Sequence, residues 1–159
     1  MKIFMTFNPH IENLSMTRLL NDFRFALQNY YRDKLGRRYF KHPENQHDIG
    51  IFEEIGKKFF EKLDEKTGLI QYIEKDSINK KEPHLHIIAD VPTDEAKTFF
   101  KALENLMKSI YSSLTTDYQV IESKKDEVNT FNYCSKEGGN IITKKDLCEM
   151  KNINLVSIH

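Results

Sequence analysis

The clearest alternation of apolar and polar positions falls between Glu82 and Val91, where Glu-Pro-His-Leu-His-Ile-Ile-Ala-Asp-Val sets two histidines among β-rich residues. Side chains alternate faces along a strand, so His84 and His86 share one side while Leu85 and Ile87 point to the other. Pro83 opens this strand and Pro92 closes it. Lys2 to Asn8 is a second such run, rich in aromatics and stopped by Pro9. It places Phe4, Thr6 and Asn8 on one face and Ile3, Met5 and Phe7 on the other. Gly68 to Lys75 and Asp117 to Ser123 read as further strands. A loop from Asp76 to Glu82 returns the first of these into the histidine strand as an antiparallel hairpin, which sets Glu74 beside His84 and His86.

Three-to-four spacing takes over from Met16, through Leu19, Leu20, Phe23, Leu27, Tyr30 and Tyr31, and predicts a core-facing helix capped by Ser15 and ended by Gly36. A second helix begins after Pro92 with Thr93 as its cap and Asp94 and Glu95 in its first turn. Its stripe is Phe99, Leu103, Leu106, Met107, Ile110 and Leu114. A third, short helix runs from Asp126 to Glu137 and stops at Gly138-Gly139. Val128 and Phe131 mark its buried side, and Tyr133 and Lys136 fall three apart on one face, with Asn129 and Glu137 beside them. Residues 37–67 read as an insertion with a short helix near Phe52 to Leu63. Ile141-Ile142 and Asn154 to Ile158 add short strands, with Thr143 capping a helical turn between them. The order β-α-β-β-α-β-α predicts a single α+β domain over residues 1–159, an antiparallel sheet with flanking helices of ferredoxin-like kind.

Composition changes this picture little. The chain has 159 residues, 39% hydrophobic and 30% charged, which is ordinary for a globular domain with one core. Its formal net charge is zero, so no global basic field advertises a nucleic-acid partner. Local basic pairs exist, at Arg37-Arg38, Lys57-Lys58, Lys80-Lys81, Lys124-Lys125 and Lys144-Lys145. Cys134 and Cys148 have no metal-type spacing and are too few for a disulfide framework, which fits a reducing compartment. With no apolar run of membrane length and no signal-peptide pattern at the start, the expectation is an intracellular, cytoplasmic protein without a membrane partner.

Two imidazoles side by side on a sheet present half of a metal site, since neutral imidazole is a common ligand for divalent transition metals. Around them the chain resembles a known family. Phe4-Met5-Thr6-Phe7-Asn8-Pro9 looks like the first motif of the HUH endonucleases of the Rep type, which initiate replication of rolling-circle plasmids and small single-stranded-DNA viruses. His84-Leu85-His86 resembles their second motif, and Tyr133-Cys134-Ser135-Lys136, followed by Glu137-Gly138-Gly139, their third. The three motifs occur in the family's order along most of the chain.

The resemblance implies an RRM-like nuclease fold and one divalent cation, Mn²⁺ or Mg²⁺, held by His84, His86 and a carboxylate on a neighbouring strand. Glu74 is the matching position, and Glu82 a weaker candidate at the strand mouth. The ion would act as a Lewis acid on the scissile phosphate. Tyr133 would be the nucleophile and Lys136 the cation that favours its phenolate. The product would be a 5′-phosphotyrosine link with a free 3′-hydroxyl. Asn129 and Glu137, one turn either side of Tyr133, imply a single catalytic tyrosine. Single-stranded origin DNA, at a defined sequence or hairpin, would cross the metal face, with Thr6 and Asn8 offering hydrogen bonds and Lys80, Lys81, Lys124 and Lys125 taking phosphates. No Gly-x-x-x-x-Gly-Lys-Ser/Thr motif is present, so a helicase would be a separate partner or lie beyond this nuclease domain. Two other readings stand beside this one: a single-tyrosine transposase of the same chemistry, and a non-catalytic domain that binds single-stranded nucleic acid.

Overall fold

In a computed structural model, residues 1–35, 48–57, 59–63, 70–74, 81–135 and 141–143 are described. Their elements run β1 (Lys2–Asn8), α1 (Met16–Leu35), β2 (Asp48–Lys57), β3 (Phe59–Leu63), β4 (Ile70–Glu74), β5 (Lys81–Asp90), α2 (Ala96–Ile110), β6 (Thr115–Ile121), α3 (Lys124–Ser135) and β7 (Ile141–Thr143). The fold is α+β, with five strands in one open antiparallel sheet of order β6-β1-β5-β2-β7. β3 and β4 pair with each other in a separate two-stranded sheet.

The histidine strand β5 lies at the centre of the large sheet, antiparallel to β1 on one side and β2 on the other. Alternation then sorts the residues. Ile3, Met5 and Phe7 of β1, Leu85, Ile87 and Ala89 of β5, and Ile49 and Ile51 of β2 are all buried on one face, where α1 and α2 cover them. Leu19, Leu20, Phe23 and Leu27 of α1 and Phe99, Leu103 and Met107 of α2 supply the other half of this core. Each such side chain contributes about 1.5–3 kcal/mol by leaving water, so the register that buries them is strongly favoured. That register decides what the opposite face carries. Phe4, Thr6 and Asn8 stand beside Gln119, Asp117 and Thr115 of β6, and Thr6 faces His86 of β5.

Several sequence expectations change here. The Phe52 to Leu63 stretch is not helical: β2 ends at Lys57 and β3 occupies Phe59–Leu63. β2 is an integral strand of the main sheet rather than part of an insertion, because Ile49 and Ile51 are needed to complete the core. The Gly68 to Lys75 run does contain a strand, but β4 pairs with β3 and makes no hairpin with β5. A ten-position ladder between β2 and β5 outcompetes a pairing that a five-residue β4 could offer. Thr93 does not cap α2; Glu95 holds that position without a side-chain cap. Ser15 does meet its helix, accepting the Arg18 backbone N–H at 3.4 Å. Thr143 lies in β7, paired with Gly50. Gly36, Gly138-Gly139 and Asn154 to Ile158 lie outside the described residues. No helix among the described residues is long and apolar enough to cross a membrane.

Candidate active site

His84 and His86 project from β5 onto the sheet face away from α1 and α2, with ring centroids 5.0 Å apart and near-perpendicular planes. The carboxylate between them is Glu54. It sits on β2 directly opposite His84 in the ladder, and its Oε2 lies 3.2 Å from His84 Nε2 and in hydrogen-bond contact with His86 Nε2. One ligand atom from each of Glu54, His84 and His86 falls within 4.8 Å of the others. Burial pushes the Glu54 carboxyl up, but the His86 hydrogen bond and the nearby imidazole charges outweigh this and hold it below the usual carboxylate value.

Each imidazole is oriented through its far nitrogen. His84 Nδ1–H donates to the Glu82 carbonyl at 3.0 Å, which turns Nε2 toward Glu54. His86 Nδ1 lies 3.0 Å from Thr6 Oγ1, a hydroxyl that can accept when Nδ1 carries the proton. Metal-binding histidines are commonly fixed in this way. Two imidazoles and a carboxylate converging through Nε2, Nε2 and Oε2, with both Nδ1 atoms tied back to the protein, fit a divalent cation. A mixed imidazole and carboxylate set suits divalent first-row metal ions as a class without selecting one of them.

Against the sequence expectation, no hairpin between β4 and β5 sets Glu74 beside the histidines. Glu74 sits on β4, paired with Phe59 of β3, whereas β2 brings Glu54 next to β5. Glu82 also serves differently: its backbone carbonyl holds His84, and its Oε2 lies 3.3 Å from His10 Nδ1.

α3 crosses this same face. Ser123 Oγ caps it by accepting the Asp126 N–H at 3.1 Å, and Cys134 anchors it in a small cluster with Phe4 and Phe52. Val128 and Phe131 do not form its buried side, being 49% and 46% exposed. Phe131 only edges onto Phe52, with ring centroids 5.6 Å apart. This mounting leaves Tyr133 half exposed and ring to ring with His86, centroids 5.6 Å apart at 76°. Phe4 stacks on the same imidazole at 5.5 Å.

An open cleft of about 590 Å³ joins these parts and is lined by Phe4, Thr6, Asn8, His84, His86, Asp117, Gln119, Asn129, Thr130 and Tyr133. Thr6, Asn8, His84, His86 and Tyr133 were candidates from sequence, and the fold gathers them in one place. Lys124 and Lys125 are exposed at the start of α3 and do not line the cleft. Lys81 opens β5, on the ladder opposite Lys57. Lys80 and Lys136 lie outside the described residues. Sequence reasoning missed Glu54, Asp117, Gln119 and Thr130 as members of the site. For Glu54 a signal existed, since Ile49, Ile51 and Ile55 alternate around it as in a strand.

No protein-family model, curated protein or solved structure matches the chain.

Proposed function

We propose that this domain nicks and rejoins single-stranded DNA through a 5′-phosphotyrosine intermediate, as the resemblance to Rep-type HUH endonucleases implies. The observation that carries this reading is the position of Tyr133. Its ring stands beside His86, within an open cleft that also holds His84, while Glu54 closes a three-ligand cluster below. A nucleophile next to a candidate metal site is what phosphoryl transfer to a side chain requires.

Glu54, His84 and His86 would hold the cation. When bound, it supplies Lewis-acid withdrawal of charge from a phosphate oxygen. Tyr133 Oη then forms the new O–P bond as the bond from phosphorus to the 3′-oxygen breaks. The phenol proton passes to solvent, and the 3′-oxygen takes one up to leave as a hydroxyl. Because one phosphodiester replaces another, the reverse step rejoins strands without an energy-rich cofactor. A phenol ordinarily titrates near ~10, so a neighbouring cation favours attack at neutral pH, and Lys136 is assigned that role from its place in the motif.

One feature favours an initiator over a transposase. Among the described residues the third ligand comes from a strand, β2, rather than from the tyrosine helix. The succession β1-α1-β2-β5-α2-β6 is the β-α-β-β-α-β arrangement of ferredoxin-like domains, on which the RRM-like reading rests. Origin DNA is the partner this implies, with a helicase either separate or beyond this domain.

The test is a denaturing gel of the protein incubated with labelled single-stranded DNA of random sequence and Mn²⁺. A slower covalent band that EDTA and Tyr133→Phe each abolish is the expected result. DNA retained without a covalent band, and indifferent to EDTA, would instead make the domain a binding module.

A further inference from the structure

The wall of the cleft formed by β1 and the edge strand β6 has a chemistry of its own. It is made by Asn8 of β1 and by Asp117 and Gln119 of β6, and no lysine or arginine is among the described residues that line the cleft. A phosphate gains nothing there, because the Asp117 carboxylate would repel it and no cation compensates. Whatever occupies this wall must therefore bring hydrogen-bond donors to an acceptor.

The ladder fixes these groups on one face. Thr6 pairs with Asp117, Phe4 with Gln119 and Asn8 with Thr115, so Asn8 and Asp117 are diagonal neighbours across adjacent strands. Each side chain is then polarised by a second bond. Asn8 Oδ1 accepts the His10 backbone N–H at 2.9 Å, which turns its Nδ2 donor away from that turn; His10 is held there at φ 56°. Gln119 Nε2 donates to Asp117 Oδ2 at 3.0 Å, leaving Asp117 Oδ1 and the Gln119 carbonyl as acceptors. In sequence across the wall the pattern is one donor followed by acceptors.

Resting on the reading that single-stranded DNA occupies this cleft, we infer that Asn8, Asp117 and Gln119 form a base-reading subsite selective for guanine. Unstacked bases are read on their Watson–Crick edges. The guanine edge presents one acceptor, O6, followed by two donors, N1–H and N2–H₂, which complements an amide donor and a carboxylate. Cytosine and adenine each offer one amino donor beside a ring-nitrogen acceptor that would face the carboxylate unfavourably. Thymine offers a single N–H between two carbonyls. The cleft volume, about 590 Å³, lies within the roughly 300–1,000 Å³ of pockets that take a small ligand. Tyr133, half exposed, provides an aromatic wall for the base.

The experiment is fluorescence anisotropy of labelled pentathymidylates whose central base is replaced by G, A, C or left as T, titrated with the full chain in Mg²⁺. Guanine is expected to bind about tenfold more tightly than the others, the discrimination typical of one good two-point contact. Asp117→Asn exchanges one acceptor for a donor and is expected to erase that preference. Asp117 is exposed on an edge strand, so the substitution is compatible with folding, which thermal melting checks. Equal binding of all four oligonucleotides, no binding, or a guanine preference that survives Asp117→Asn would each overturn the inference. The nicking reading is decided separately by the Tyr133 adduct. An adduct without base preference would sink the guanine subsite alone. A guanine preference without an adduct would sink the nicking reading and leave the subsite standing.

Discussion

Replacing Thr6 by Val tests whether the cleft is built around a metal. The substitution keeps the branched shape but removes the oxygen 3.0 Å from His86 Nδ1. His86 is only 4% exposed and packed under the Phe4 ring, so solvent cannot easily take over that contact. A buried donor left without its partner costs about 1–3 kcal/mol. Without an ion, the imidazole can avoid much of this by moving its proton to Nε2, where the Glu54 carboxylate accepts it. With an ion on Nε2 that escape is closed, and the cost falls on the bound state. The expected result is a loss of roughly 10–100-fold in Mn²⁺ affinity, the range seen when groups behind a ligand are removed. Isothermal titration of Mn²⁺ into wild type, Thr6→Val and Thr6→Ser measures it, and the serine variant should stay within about threefold of wild type because it keeps the hydroxyl. Valine binding within twofold of wild type would refute the reasoning, as would serine losing as much as valine.

Glu54→Gln is expected to weaken Mn²⁺ binding by more than about a hundredfold, while Glu74→Gln should change it by less than about twofold, in the same titration. Tyr111 donates to Asp22, and its phenol is pushed up by burial and by that carboxylate; Tyr111→Phe should cost about 1–2 kcal/mol in urea unfolding and leave Mn²⁺ affinity intact. Glu104 is held below the usual carboxylate value chiefly by the Thr116 hydroxyl, against the opposing effect of burial and with help from Lys101. Its contribution is therefore present above the ordinary carboxylate range and lost as pH falls through the lowered value. Thr116→Val should accordingly lower stability by about 1 kcal/mol near pH 7 and by progressively less below about pH 4, read from melting curves across pH. Leu85→Ala, on the buried side of the histidine strand, should cost about 2–5 kcal/mol in the same unfolding assay.

Strands whose alternation is strong, β1 and β5, and the helix stripes of α1 and α2 were legible in the sequence, because one buried face leaves a periodic trace. The paired histidines were legible for the same reason, through their place on β5, whereas Tyr133 lies on α3 and was singled out by its resemblance to a family motif. Pairing was not. Choosing Glu74 assumed that β5 pairs with the strand just before it, whereas pairing is decided by which strand completes the core over the longest ladder. β2 does so through Ile49 and Ile51 over ten positions. Its Glu53-Glu54 pair also disguises the strand, since adjacent acids near lysines fit a solvated helix equally well. In α3, Val128 and Phe131 carry a helical period that suggests burial, but the helix lies on a polar sheet face and anchors through Cys134 instead.

The ladder between β2 and β5 closes with Lys57 opposite Lys81, so the chain leaves the sheet at residue 57 and re-enters it one strand spacing away. Everything between is, in topological terms, a detour whose two ends already stand where a hairpin turn would put them. A two-residue Asn-Gly link could join them without altering the register that sets Glu54 opposite His84. By the same logic the detour is a port: foreign segments can be spliced there at little closure cost, since the entropy of a loop grows only slowly with its length. A trimmed chain and one carrying an added module at that point would keep the same Glu54-His84-His86 cluster, which makes this the natural place to graft a new function onto the sheet.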